Sequence, residues 1–353
     1  MTRLRIALIA SARYPIRQPF PGGLEAHTWQ LATWLRSHGH SVGVFGGAGS
    51  EASLDVRELS ALPEISEHAR RDVSMPPEWF LAEHHAYLTL MLELGGSGVP
   101  YDVVHNNSLH YLPVAMAQTL AMPMLTTLHT PPTPWLESAA GIRPERGSHF
   151  AAVSNYTAAQ WRPRVPAVSV VRNGVDTSFW SMGPGGGVPV WSGRIVPEKG
   201  PVEAITAARL AGSGLRLAGP CPDQRYFRDE VEPLLGNGIE YVGHLDHIDL
   251  AQLIGSARVG IVSPCWDEPY GLVVAEALAC GTPIAGFRRG ALPELLDESC
   301  GVLAAPGDVV GLAAAIGEAA RLERRAARRR AEQACSIEAM VEGYERLYRE
   351  LVA

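Results

Sequence analysis

Lysine is nearly missing from this 353-residue chain: of its 30 basic residues only Lys199 is lysine, and the rest are arginine. That bias fits a GC-rich coding sequence, and it makes the one lysine that persists a residue to account for. Long hydrophobic runs are missing too. No apolar segment reaches the ~18 residues needed to cross a bilayer. Leu4–Ala10 is too short for a signal sequence and has no cleavage site behind it, so the protein is expected in the cytoplasm. Cysteine is sparse. Cys221, Cys265, Cys280, Cys300 and Cys335 are dispersed with no CxxC pair, which argues against a disulfide framework and a zinc site. The net charge is −7, so the molecule as a whole does not attract nucleic acid. There is no DxD-type carboxylate pair, and neither metal nor cofactor is expected.

The composition, 46% hydrophobic and 19% charged, is that of a globular α/β chain long enough for two domains. Short apolar strands alternate with amphipathic helices. In the first half strand-like runs occur at Leu4–Ala10, Ser41–Phe45, Asp102–His105, Met124–Leu128 and Phe150–Val153. Leu24–His38 carries Leu24, Thr28, Leu31 and Leu35 on one helical face, closed by Gly39. Gly183–Gly187 reads as a linker. The alternation then restarts with Val188–Ser192, a helix over 200–210, Leu215–Ala218, Ile239–Val242, Val259–Val262, Pro283–Ala285 and Gly301–Leu303. Repeated βαβ units imply parallel sheets, and two such domains joined by a hinge make a cleft at the carboxyl ends of their strands. Arg321–Arg330 admits two readings, a membrane-surface patch and a solvated helix face; Glu318, Glu323 and Glu332 favour the second.

Chemistry concentrates at Glu268-Pro-Tyr-Gly-Leu-Val-Val-Ala-Glu276. Pro269 stops a preceding helix and lets one start just after it. Tyr270, Gly271 and Leu272 then offer free N–H groups to an anion. Glu268 lies outside the helix and Glu276 about one turn within, both facing one cleft and both kept ionised by the helix dipole. Two ionised acceptors beside a phosphate-binding backbone suit a polyhydroxylated ligand bearing phosphate. A capped helix with two surface glutamates fits the spacing equally well.

The wider sequence resembles the retaining GT-B glycosyltransferases of family 4. Glu268 and Glu276 match that family's E-x7-E motif. Pro21-Gly22-Gly23-Leu24-Glu25, Ala152-Val153-Ser154-Asn155-Tyr156, Arg172-Asn173-Gly174-Val175-Asp176 and Ser192-Gly193-Arg194 through Lys199-Gly200 resemble its other segments, in its order. The resemblance implies two Rossmann-like domains with parallel sheets facing a deep cleft. Residues 1–172 and a returning C-terminal helix, 335–353, would bind the acceptor, and 173–334 the nucleotide sugar.

It further implies roles. Arg194 and Lys199 neutralise a diphosphate, which gives the sole lysine its reason to persist, although an exposed ion pair with Glu198 is the plainer alternative. Gly22 and Gly23 let the backbone approach the donor or acceptor. His129 contacts the donor sugar. Glu268 reads the sugar and Glu276 the ribose, beside Tyr270, Gly271 and Leu272. His105, Asn106 and Asn107 are expected on the acceptor side, with a core histidine as the alternative for His105. The expected reaction moves a hexosyl group, with retention and without metal, from a UDP-sugar or GDP-mannose to a hydroxyl acceptor. A glycosidase, a sugar-nucleotide epimerase and a non-catalytic sugar-nucleotide-binding partner are the rivals. The acceptor and oligomeric state are not readable from the sequence.

Overall fold

The structure, a computed structural model, describes residues 3–142, 147–165 and 167–353. Seven strands form the first sheet: β1 (Arg5–Ile9), β2 (Ser41–Gly46), β3 (Val56–Glu58), β4 (Val103–Asn106), β5 (Met124–Leu128), β6 (His149–Ala152) and β7 (Val168–Val170), in the order β3-β2-β1-β4-β5-β6-β7. Six form the second: β8 (Val190–Ser192), β9 (Leu215–Ala218), β10 (Ile239–Tyr241), β11 (Gly260–Val262), β12 (Ile284–Phe287) and β13 (Gly301–Ala304), in the order β10-β9-β8-β11-β12-β13. All pairings are parallel. The central strands are apolar without alternation because helices cover both faces. The fold is therefore the expected GT-B α/β architecture. β3 and β7 escape the sequence pattern. Each is only three residues long and lies at a sheet edge; β3 is mostly exposed and β7 only partly buried, so both are too short to stand out.

Six helices frame the cleft: α1 (Gly23–Ser37), α2 (Glu78–Leu94), α3 (His247–Ser256), α4 (Leu272–Ala279), α5 (Arg324–Ala334) and α6 (Ile337–Val352). The chain crosses between the sheets twice at one place. Val175 pairs with Ser336 as a parallel bridge, Val175 N–H donates to Cys335 O (2.8 Å) and Ile337 N–H to Val175 O (3.2 Å). After that crossing α6 returns to the first sheet, where Met340, Val341, Tyr344 and Tyr348 join the core of Ile6, Leu8 and Leu31.

Two expectations are corrected. Gly183–Gly187 is no free linker: Gly183, Gly185 and Gly187 N–H groups donate to Cys280 O (3.2 Å), Gly255 O (2.9 Å) and Ser256 O (2.9 Å). The glycines permit close backbone approach, since no Cβ fits at Gly183 against Gly255. Nor is the arginine run a solvated face. Arg324 reaches Ala257, Gly183, Gly255 and Cys280 carbonyls at 2.9–3.2 Å. Arg328 bonds Trp180, Ala279 and Thr177 carbonyls at 2.7–2.8 Å, and Arg330 those of Leu295 and Glu294 at 2.8 Å. Arg324 and Arg328 thereby satisfy carbonyls left over where α3 and α4 end. Arg321, Arg325 and Arg329 remain exposed. Among the described residues no helix is long and apolar enough to cross a membrane.

Candidate active site

Strand order reverses between β1 and β4 in the first sheet and between β8 and β11 in the second. Ligands bind open α/β sheets at such switch points, outside the carboxyl ends of the strands. Here both open onto one cavity of about 550 Å³, lined from both halves of the chain.

On the second-domain side, Arg194 and Lys199 occupy the turn after β8. That turn is held rigidly. Gly200 has φ +69° and no space for a Cβ against Ser263 O, the Ser263 hydroxyl donates to Gly200 O (2.7 Å), and Cys265 N–H to Glu198 O (2.9 Å). The Lys199 ammonium lies 2.6 Å from Glu268 Oε2, which also accepts from the Trp266 indole at 3.1 Å, and the ammonium sits 5.1 Å over that ring. The expected cation and carboxylate are thus preassembled as a pair, partly buried at 22% and 14% side-chain exposure. Arg194 does make the plain ion pair, with Glu198 at 3.4 Å, while its side chain still lines the cavity. Such an exposed pair contributes little and leaves the guanidinium free to re-pair with a ligand anion.

Gly271, with φ +95°, caps α4, and Tyr270, Gly271, Leu272 and Val273 at this helix start line the cavity. Tyr270 offers only its backbone. Its ring is buried and its hydroxyl donates to Asn173 O, beside the point where the chain crosses between the sheets. Glu276 corrects an expectation. It does line the cavity, but it is 5% exposed, and burial pushes its carboxyl up to about 8. It lies in the second turn of α4, beyond the reach of the N-terminal dipole, and no cation pairs with it among the described residues. Without ligand it is therefore predominantly protonated at neutral pH.

On the first-domain side, Gly22 and Gly23 open α1 and line the cavity. Gly23 faces Leu272 at van der Waals distance across the cleft. His129 lines it too. Burial beside His27 and His105 holds its imidazole well below its usual range, hence neutral. Its Nε2 lies 2.8 Å from Asn107 Oδ1, so the proton is assigned to Nε2 and Nδ1 is left to accept a hydrogen bond. Asn107 thus positions His129 and does not itself line the cavity. His105 and Asn106 are corrected as acceptor residues. His105 is fully buried, bonded to Tyr348 hydroxyl (2.6 Å) and Thr127 hydroxyl (2.8 Å) beneath α6. Asn106 accepts from Ser108 and faces Thr126 inside the sheet.

Glu25 was not singled out by spacing. It stands in the first turn of α1, 5% exposed in the cavity wall; burial pushes its carboxyl up to about 7, a shift opposed by Arg194 across the cleft. Arg13 and Glu83 were missed as well. They line the cavity as a bidentate pair at 2.7 and 3.2 Å, 70 residues apart in sequence.

The halves are clamped beside the site. Ser154 and Thr157 hydroxyls donate to Pro269 O (2.6 and 3.1 Å). Tyr156 hydroxyl donates to Asp267 (2.7 Å), and Asn155 and Tyr156 N–H groups donate to Glu294 (2.9 and 2.6 Å). The Val153–Tyr156 segment thus seats the loop that carries Glu268.

Comparison with known proteins gives the same picture. The family model described as Glycosyltransferase Family 4 matches residues 21–179, and that described as Glycosyl transferases group 1 matches residues 188–321. A glycogen synthase of Mycobacterium tuberculosis is 29% identical over 360 residues, covering 88% of this chain and 86% of its own. Two solved structures share the fold: a sucrose-phosphate synthase from Thermosynechococcus elongatus (TM-score 0.78, 22% identity, 99% of both chains), and Anabaena HepE in complex with UDP and glucose (TM-score 0.76, 19% identity, 99% of this chain and 100% of that one).

Proposed function

The chain belongs to the family 4, group 1 glycosyltransferases; from that premise we propose a retaining, metal-independent transfer of a hexosyl group from a nucleotide sugar to a hydroxyl acceptor. One observation carries the reading. Arg194, Lys199, the α4 N-terminus, Glu268 and Glu276 converge on a single cavity between two Rossmann-like sheets. The first three supply positive charge where a nucleoside diphosphate leaves, in a partly dry site where such charge acts strongly. Glu268 and Glu276 flank one helix start, so they sit on the same side of a ligand. A glycosidase needs its carboxylates on opposite sides of one bond. Holding hydroxyl groups fits them better, Glu268 on the sugar and Glu276 on the ribose.

Residues 1–172 with 335–353 would hold the acceptor, and 173–334 the donor. His129 would accept from a sugar hydroxyl through Nδ1. A UDP-sugar is the favoured donor, in keeping with the UDP and glucose bound by HepE; GDP-mannose is the second choice. Incubation with a panel of UDP-sugars and GDP-mannose tests the function. The expected result is nucleotide release that depends on the sugar donor, with the anomeric configuration kept in the product. Tight binding with no release from any donor would favour a non-catalytic binding partner.

With Arg194, Lys199 and helix N–H groups in the metal's place, saturating EDTA is expected to leave the rate unchanged. A rate lost to EDTA and restored by Mg²⁺ or Mn²⁺ would contradict this.

Glu276 also makes a stability prediction for the ligand-free protein. Its folded value, about 8, lies above its ordinary value. The stability it contributes is complete below its ordinary value near 4.5 and is lost as pH rises through 8. The melting temperature of Glu276→Gln relative to wild type is expected to climb from about pH 5 to about pH 8 and then level off. A pH-independent difference would show that Glu276 ionises freely in the folded protein.

A further inference from the structure

The acceptor half of the cavity has an unusual rim. A path of ring contacts leaves the cavity wall at His110 and returns to it at Arg13. His110 stacks on Tyr111 (4.7 Å, 29°), Tyr111 on Trp135 (5.2 Å, 29°), Trp135 meets Phe80 (6.0 Å) and Phe80 meets Trp79 (5.9 Å). The Arg13 guanidinium closes the path 5.0 Å over Trp79. His110 and Arg13 both line the cavity. Trp79 and Trp135 are nonetheless 57% and 60% exposed. Large aromatic surface left open beside a ligand-sized cavity marks a ligand contact.

Resting on the transferase reading above, we propose that the acceptor is a saccharide, with a pyranose face laid on the Trp79–Trp135 rim and ring hydroxyls bonded to the Arg13–Glu83 pair. A pyranose has one face of C–H groups and a girdle of hydroxyls. It needs a flat apolar surface with a fixed donor and acceptor beside it, and this rim supplies both. The aromatic rings offer the flat surface. Glu83 fixes the Arg13 fork and leaves other guanidinium hydrogens free to donate to vicinal hydroxyls.

A lipid surface fits the rim poorly. Its rings are flat and short where acyl chains would favour an aliphatic trough. Among the described residues, cations near it are paired: Arg13 with Glu83, Arg70 with Glu78 (3.2 Å) and Arg164 with Glu137 (2.7 Å). Trp79 is the second residue of α2, just after Pro76-Pro77-Glu78, and the two prolines stiffen the approach. The platform is thus rigid before ligand arrives, and rigidity lowers the entropy lost on binding.

The test is calorimetric titration of the full chain, saturated with UDP, with maltohexaose, cellohexaose and mannohexaose in turn. Saturable binding of at least one is expected, weakened about tenfold or more by Trp79→Ala/Trp135→Ala. A UDP-induced rise in melting temperature serves as the fold control for the variant; should the double variant not fold, Trp135→Ala alone carries the comparison. Failure of all three saccharides to bind would overturn the proposal, as would binding undiminished in the variant. Binding instead to phosphatidylserine vesicles, lost in the same variant, would assign the rim to a lipid. Titration of wild type with UDP and with GDP is read separately: nucleotide binding without saccharide binding sinks only this proposal, whereas binding of neither nucleotide sinks the transferase reading.

Discussion

Lys199→Ala is expected to lower kcat/KM for the donor by about 10²–10³-fold while leaving the fold intact, the range seen when one preorganised charge-stabilising group is removed. The ammonium sits on Glu268 in the free protein. A donor diphosphate entering beside the α4 N-terminus adds negative charge, and that charge grows as the glycosidic bond breaks. Lys199 is the only lysine in the chain, and its turn is fixed by Gly200, Ser263 and Cys265. The position of its charge is therefore set before the reaction. Lys199→Arg keeps the charge but changes a point cation to a planar fork, and it is expected to recover only part of the rate. Steady-state kinetics, with circular dichroism for the fold, measure both. A Lys199→Ala enzyme transferring at near-wild-type rate would remove Lys199 from the mechanism.

The largest expected effect on stability belongs to Arg324→Ala. Its guanidinium donates to Ala257, Gly183, Gly255 and Cys280 carbonyls, and so ties together the ends of α3 and α4 and the glycine segment between the domains. Removing it strands several partly buried carbonyls at once. Each costs about 1–3 kcal/mol when unsatisfied, and water entering the gap recovers part of that, so about 3–5 kcal/mol is expected in a denaturant titration. Arg324→Lys is expected to rescue little, because one ammonium cannot match the fork. A loss below about 1 kcal/mol would mean that the carbonyls are already hydrated.

What the sequence made legible follows from what is local. Strand and helix runs, the turn at Gly271 and the Glu268–Glu276 spacing are all encoded within a dozen residues. Of the readings that depended on distant neighbours, the return of α6 held through the family resemblance, and several others failed. His105 and Asn107 both lie at the end of β4. Only the structure shows that α6, arriving from the far end of the chain, covers His105, while Asn107 reaches His129. The charge state of Glu276 depends on burial that helix position alone does not report. The arginine run looked solvated because the carbonyls that claim part of it come from four other segments. Arg13 and Glu83 form a site only after α2 is laid beside the loop that follows β1. Glu25 carried a faint signal, an acidic residue two positions after a glycine pair at a helix start.

The most direct test is a crystal structure of this protein with UDP. The account predicts the diphosphate between the first N–H groups of α4 and the side chains of Arg194 and Lys199, with the ribose hydroxyls on Glu276. Density for the nucleotide away from that wall, for example over Gly46–Gly49 after β2, would contradict it.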